Sequence, residues 1–210
     1  MFKRLSLIFT MFLFVSNAFA QCWNLVWEDD FSGSTLNTSN WSYQTGAGGW
    51  GNNELQHYTS NSNNIAVVGG NLEITAQEES FNGSNYTSSR IRSINKADFT
   101  YGRMEARIQL PEGQGIWPAF WMMPTDSEYG GWPASGEMDI MEYLGHQTNI
   151  AYGTCHYGFQ GDHQFSGSSY TLPSGNFTDG FHTFSMEWEP DTIKWFVNNI
   201  PYFTLKRSDL

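Results

Sequence analysis

The run Gly102-Arg-Met-Glu-Ala-Arg-Ile-Gln-Leu110 decides the fold. Met104, Ala106, Ile108 and Leu110 fall on one side of a period-two alternation, and Arg103, Glu105, Arg107 and Gln109 fall on the other. That is the pattern of a strand with one buried face. The same period recurs along the chain and predicts strands over 71–78, 116–123, 150–158 and 182–188. Thr192 to Val197 and Ile200 to Leu205 read as a hairpin around Asn198-Asn199, because asparagine tolerates the positive φ that tight hairpin turns require. Helical periodicity is missing, and glycine, asparagine and serine clusters separate the runs. An all-β chain of this kind folds as a two-sheet antiparallel β-sandwich. Its 210 residues suffice for one domain with a sizeable core. No repeat, low-complexity tract or interdomain linker interrupts it.

The first 20 residues stand apart. Lys3 and Arg4 precede a Leu/Ile/Phe-rich stretch that ends in Ala18-Phe19-Ala20, the small-x-small pattern of a secretory leader. Residues 1–20 therefore read as a signal peptide and 21–210 as the mature domain, exported to the extracellular space or periplasm. No other stretch approaches the roughly 20 apolar residues of a membrane span. Losing Lys3 and Arg4 with the leader leaves eight basic against 21 acidic residues, a net charge of −13. That balance disfavours nucleic acid and anionic membrane as partners and is compatible with a neutral polysaccharide. Cys22 and Cys155 allow at most one intrachain disulfide, which export permits without requiring.

Chemistry concentrates in Ser135-Gly-Glu-Met-Asp-Ile-Met-Glu-Tyr-Leu-Gly145, where Glu137, Asp139 and Glu142 interrupt an apolar, strand-like run. Simple alternation puts Glu137 and Asp139 on one face and Glu142 on the other. A β-bulge at Met141 would shift the phase by one, return Glu142 to the face of its partners and leave Met138 and Ile140 for the core. The two longer carboxylates could then approach the separation of about 5–5.5 Å that retaining glycoside hydrolysis uses. The plain alternative is a charged solvent face. It fits poorly, because three like charges repel, no Lys or Arg lies between Gly131 and His146, and strands disfavour Asp and Glu. Another alternative gathers the carboxylates with His146 or His156 around a metal, although the helical histidine spacing of common zinc motifs is absent. Crowded carboxylates raise one another's pKa, which keeps a protonated acid beside an ionised nucleophile.

The stretch Gly136-Glu-Met-Asp-Ile-Met-Glu-Tyr-Leu-Gly145 resembles the active-site signature of glycoside hydrolase family 16, in the form with an inserted residue carried by laminarinases. Other blocks agree in order: Trp27-Glu-Asp-Asp-Phe-Ser-Gly33, the segments 49–59 and 88–93, Tyr101-Gly-Arg-Met-Glu-Ala-Arg107 and Gly115-Ile-Trp-Pro-Ala-Phe-Trp-Met122. The resemblance spans most of the mature chain. It implies a concanavalin A-like jelly roll with a concave substrate groove, Glu137 as nucleophile, Asp139 as helper and Glu142 as acid/base. It also implies a secreted, monomeric endo-β-1,3-glucanase that needs no cofactor for catalysis. The same scaffold in other hands cleaves mixed-linkage glucan, agarose or carrageenan, or binds β-glucan without cleaving it.

Substrate contacts carried over on the same basis are Asn53, Arg90, Trp117, Trp121 and His156. Trp117 and Trp121 are expected to line the groove from one strand, with Trp132 in the nearby loop, since sugar C–H faces stack on indole. Trp23, Trp27, Trp41, Trp188 and Trp195 are expected in the core, and Glu54 is expected to brace a loop. A structural calcium far from the groove would use Asp30 and the backbone at Gly70, two of the six or more oxygens calcium takes. The family's domain continues for several strands past the point matching Leu210, which implies a piece of a longer product with uncovered edges.

Overall fold

The computed structural model describes residues 23–210, and the leader and Cys22 lie outside the described residues. Fifteen strands form in the order β1 (Ser42–Gln44), β2 (Gln56–Tyr58), β3 (Ile65–Val68), β4 (Asn71–Ile74), β5 (Gln77–Phe81), β6 (Ser84–Ser88), β7 (Arg90–Arg92), β8 (Gly102–Ile108), β9 (Ala119–Met122), β10 (Glu137–Tyr143), β11 (Ile150–Phe159), β12 (Asp162–Thr171), β13 (His182–Glu189), β14 (Thr192–Val197) and β15 (Ile200–Lys206). Two four-stranded antiparallel sheets dominate, ordered β12-β11-β10-β9 and β15-β14-β13-β8. The pairs β1-β7 and β3-β4 and the three-stranded sheet β2-β6-β5 flank them.

One core joins the two large sheets. Ile140, Tyr143, Ala151 and Cys155 come from the first, Phe184, Met186, Trp195, Val197 and Leu205 from the second, and Leu110, Leu172 and Phe177 close the ends. The alternation in 102–110 is realised: Met104 and Ile108 pack on this core, Leu110 is buried, and Glu105, Arg107 and Gln109 are exposed. The hairpin forms at Asn198-Asn199, whose φ values are 50° and 63°.

Boundaries differ from the periodic reading in three places. The run 71–78 breaks at Thr75 and Ala76 into β4 and the start of β5. The run 116–123 contracts to β9, so Trp117 precedes the strand that carries Trp121. The ten-residue β12 was invisible to periodicity, because its sequence Asp-His-Gln-Phe-Ser-Gly-Ser-Ser-Tyr-Thr carries few apolar residues to alternate. Of the tryptophans expected inside, Trp195 is fully buried, and Trp27, Trp41 and Trp188 are half-buried. Trp23 is exposed and donates Nε1 to Glu187 at 3.3 Å. Cys155 is buried, has no disulfide partner among the described residues, and its thiol is pushed up to about 11 chiefly by desolvation.

Candidate active site

The carboxylates stand on β10, and their common face depends on one extra residue. Against β11 the register runs Glu137 to His156 and Asp139 to Thr154, then Glu142 to Tyr152, so three steps on β10 match two on β11. Against β9 it runs Asp139 to Trp121, then Met141 to Phe120. The bulge thus lies at Ile140-Met141, both 1% exposed, and it returns Glu142 to the face of Glu137 and Asp139. Met138 packs against the core beneath, as the alternation requires.

The opposite sheet holds this bulge in place. Trp195 on β14 donates Nε1 to the carbonyl of Asp139 at 2.8 Å, satisfying its own N–H inside the core. It reaches that far because Gly153 on β11 has no side chain; a Cβ there would sit 2.5 Å from the Trp195 ring and 2.4 Å from the Tyr202 hydroxyl.

Each glutamate has an indole donor. Trp132 Nε1 donates to Glu137 Oε2 at 2.6 Å, and Trp117 Nε1 donates to Glu142 Oε1 at 3.0 Å. Both rings are about half exposed, at 48% and 49%, so they edge the site and leave faces open to a ligand. Trp117 was expected to stack on sugar, and its hydrogen bond to Glu142 is a second contact. Asp139, buried between the glutamates, meets His156 Nε2 at 3.1 Å through Oδ2. That N–H points off-axis, so Oδ2 faces an ion-pair partner without a well-aligned hydrogen bond.

Electrostatics separate the two glutamates. Burial, and after it the Asp139 charge, pushes Glu142 up from 4.5 to about 7. Glu137 is also raised by burial and by Asp139; an indole hydrogen bond and His156 pull both glutamates back, and Arg90 adds to this for Glu137. Arg90 acts on Glu137 and is not among the influences on Glu142. Glu142 therefore holds its proton to higher pH, and Glu137 ionises first. His156 is raised, first by its contact with Asp139.

Arg90 lies between two rings, 4.8 Å from the Trp50 centroid and 4.6 Å from the Trp121 centroid, and its Nε donates to Gln44 at 2.8 Å. Trp121 is the register partner of Asp139, so this stack abuts the carboxylates. Asn53 is exposed at φ 57° in the loop that also carries Trp50. Glu54 accepts from Tyr58 Oη at 2.7 Å and from Gln56 Nε2 at 2.5 Å, which braces that loop. Trp132 stands in the loop where it was expected to edge the groove, whereas Trp50, Gln44 and His163 had no place in the site read from the sequence. Each comes from a segment whose only link to the carboxylates is tertiary.

Asp30 and Gly70, the residues expected at a calcium site, lie in an early loop and in the β3–β4 turn. Asp30 is exposed and spends one oxygen on the backbone N–H of Ser32 at 3.0 Å, an internal contact that also lowers its carboxyl pKa. Gly70 sits at φ 75° in the β3–β4 turn. Among the described residues no group of three or more His, Cys, Asp or Glu side chains is arranged around a metal position.

A two-sheet sandwich bearing a half-buried, unequal pair of glutamates on one face is the arrangement of a glycoside hydrolase. The chain belongs to the glycosyl hydrolases family 16, whose model matches residues 52–210. It is 43% identical over 192 residues to the glucan endo-1,3-beta-glucosidase A1 of Niallia circulans, covering 83% of this chain and 28% of that protein. It is 44% identical over 195 residues to a beta-glucanase of Rhodothermus marinus, covering 90% of this chain and 67% of that one. The X-ray structure of the Rhodothermus marinus laminarinase superposes with a TM-score of 0.83 at 40% identity, covering 89% of this chain and 76% of the other. The matched region is thus a little over a quarter of the Niallia protein and about two thirds of the Rhodothermus glucanase. The jelly-roll architecture is common to these structures.

Proposed function

We propose that this chain carries the catalytic centre of an exported endo-glucanase that cuts internal β-1,3 bonds of laminarin-like glucans with retention of configuration. The observation that carries the reading is the unequal glutamate pair: Glu142 is held protonated to about 7 while Glu137 keeps a short N–H donor and a nearby Arg90. Glu142 gives its proton to the glycosidic oxygen as Glu137 attacks the anomeric carbon, forming a glycosyl ester and releasing the aglycone. Glu142, now ionised, takes a proton from the water that attacks the same carbon and frees Glu137. Trp132 occupies Oε2 of Glu137, which leaves Oε1 to attack. Burial first, and the neighbouring Asp139 second, raise the acid Glu142.

Names of relatives support the linkage, since the similar proteins are called glucan endo-1,3-beta-glucosidase and laminarinase. The acidic balance suits a neutral polysaccharide better than a sulfated one. The leader-like run Met1 to Ala20 supports export, and a secreted product beginning at Gln21 is the expected outcome of N-terminal sequencing.

Incubating the protein with laminarin, lichenan, agarose and carrageenan tests the substrate. Short oligosaccharides released from laminarin, with the β-anomer formed first by NMR, are the expected result. Binding to one glucan with cleavage of none would place the chain among non-catalytic glucan binders instead.

A further inference from the structure

His163 lies outside every block that marks the family signature, on a strand that carries none of the catalytic carboxylates. Yet its Nε2 is 2.9 Å from His156 Nδ1, and the other nitrogen of His156 faces Asp139 Oδ2 at 3.1 Å. The two imidazoles stack with centroids 5.1 Å apart and 29° between planes. His163 also packs on Trp132 at 4.6 Å, the ring that donates to Glu137, while Phe165 closes the far side at 6.0 Å. Local geometry brings this about: β11 and β12 pair antiparallel around Gln160-Gly161, with His156 opposite Phe165, so His163 falls diagonally across from His156 on the same outer face.

We propose that His163 is a positioning residue for the reaction, using its Nε2 to fix the ring orientation and proton placement of His156 and thereby to hold Asp139 between the two glutamates. The inference rests on the proposed use of Glu137 and Glu142 as the reacting pair.

Two features carry the argument. Asp139 Oδ2 is buried without a well-aligned hydrogen bond and faces His156 Nε2 at 3.1 Å, so a small rotation of the His156 ring decides how well that oxygen is met. His156 Nδ1 faces His163 Nε2, so that contact is what sets the rotation. When His156 is charged it donates from both nitrogens, to Asp139 and to His163, and His163 accepts through its lone pair. The charged ring then lies beside Glu137 as well, where it favours the ionised nucleophile. The titratable groups acting on His156 are Asp139, Glu137 and Glu142 on β10, with His163 facing it from β12 and Arg90 acting on Glu137 from β7.

Two substitutions divide the hydrogen bond from the packing. His163→Phe keeps an aromatic ring between Trp132 and Phe165 but removes the nitrogen. His163→Gln removes the ring but keeps a side-chain acceptor for Nδ1–H. The expected result for the Phe variant is a kcat on laminarin lowered about tenfold, the equivalent of one hydrogen bond to a charged group, with KM unchanged. Its His156 imidazole, followed by NMR in the ligand-free protein, should titrate at lower pH than in the parent. The Gln variant should recover most of both. Parent-like kcat and parent-like His156 titration in the Phe variant would overturn the proposal, as would a Gln variant no better than the Phe variant in both readouts. The titration needs no substrate, so it distinguishes failure of this inference from failure of the laminarin assignment, which the parent enzyme alone decides.

Discussion

At the residue scale the site is a problem in placing charge. Three carboxylates on one strand face repel, and the fold answers with two indole N–H donors, one imidazole and one guanidinium. The sign of the resulting shifts fixes the pH behaviour. Glu142 must be protonated to act as acid, so kcat/KM should fall as pH rises through about 7, and Glu142→Gln should lose that limb together with most activity. Stability runs the same way. Because the folded value of Glu142 is raised above 4.5, its contribution is fully present below pH 4.5 and is lost as pH rises through about 7. Glu142→Gln can still accept from Trp117 but never ionises, so it should melt above the parent at pH 8, with a smaller difference at pH 5, as calorimetry at the two pH values would show. For the nucleophile, Glu137→Ser should lower turnover by about three orders of magnitude or more while laminarin binding persists in an affinity gel. Normal turnover in that variant would remove Glu137 from its role.

At the element scale the decisive feature is the bulge at Ile140-Met141. Without it, β10 would send Glu142 toward the core and pull its tyrosine neighbour out of it, since a one-residue slip exchanges the faces of a strand. Trp195 bonds to the Asp139 carbonyl beside that bulge and links the two sheets at the catalytic strand. Trp195→Phe keeps an aromatic ring in the core but leaves the carbonyl without this donor. Denaturant unfolding should show a loss of about 1–3 kcal/mol, with activity falling further than a distant core substitution of equal cost would cause. If the variant matched the parent in both, the indole hydrogen bond would not be what steadies the bulge. The bulge was legible in the sequence because three carboxylates at that spacing make sense on one face only with an extra residue. The strand β12 was not legible, and with it went His163: a strand whose residues are mostly small and polar has no period to read, and only pairing with β11 defines it.

At the scale of the whole molecule, acidic charge and a polar, aromatic-edged site suit a neutral polymer that is held by stacking and hydrogen bonds. Laminarin hydrolysis should therefore change by less than about twofold in KM between 50 and 500 mM salt, because screening acts on long-range charge attraction and leaves short contacts in place. A steep salt dependence would point to a charged substrate instead.

The sequence by itself determined that the chain is all-β, that Glu137, Asp139 and Glu142 share a strand face by way of a bulge, and that the alternation in 102–110 turns Met104, Ile108 and Leu110 toward the core. These follow from local rules: side chains alternate along a strand, one extra residue shifts the phase, and asparagine accepts the φ of a tight turn. Only the tertiary structure decided which glutamate is held protonated, because the donors and charges that separate the pair arrive from segments far apart in the chain. Trp117 and Trp132 come from loops before β9 and β10, and Arg90 comes from β7, held against Trp50 and Trp121. A carboxyl pKa is set by burial and by neighbours within a few ångströms, and such neighbours exist only once the sheets have packed.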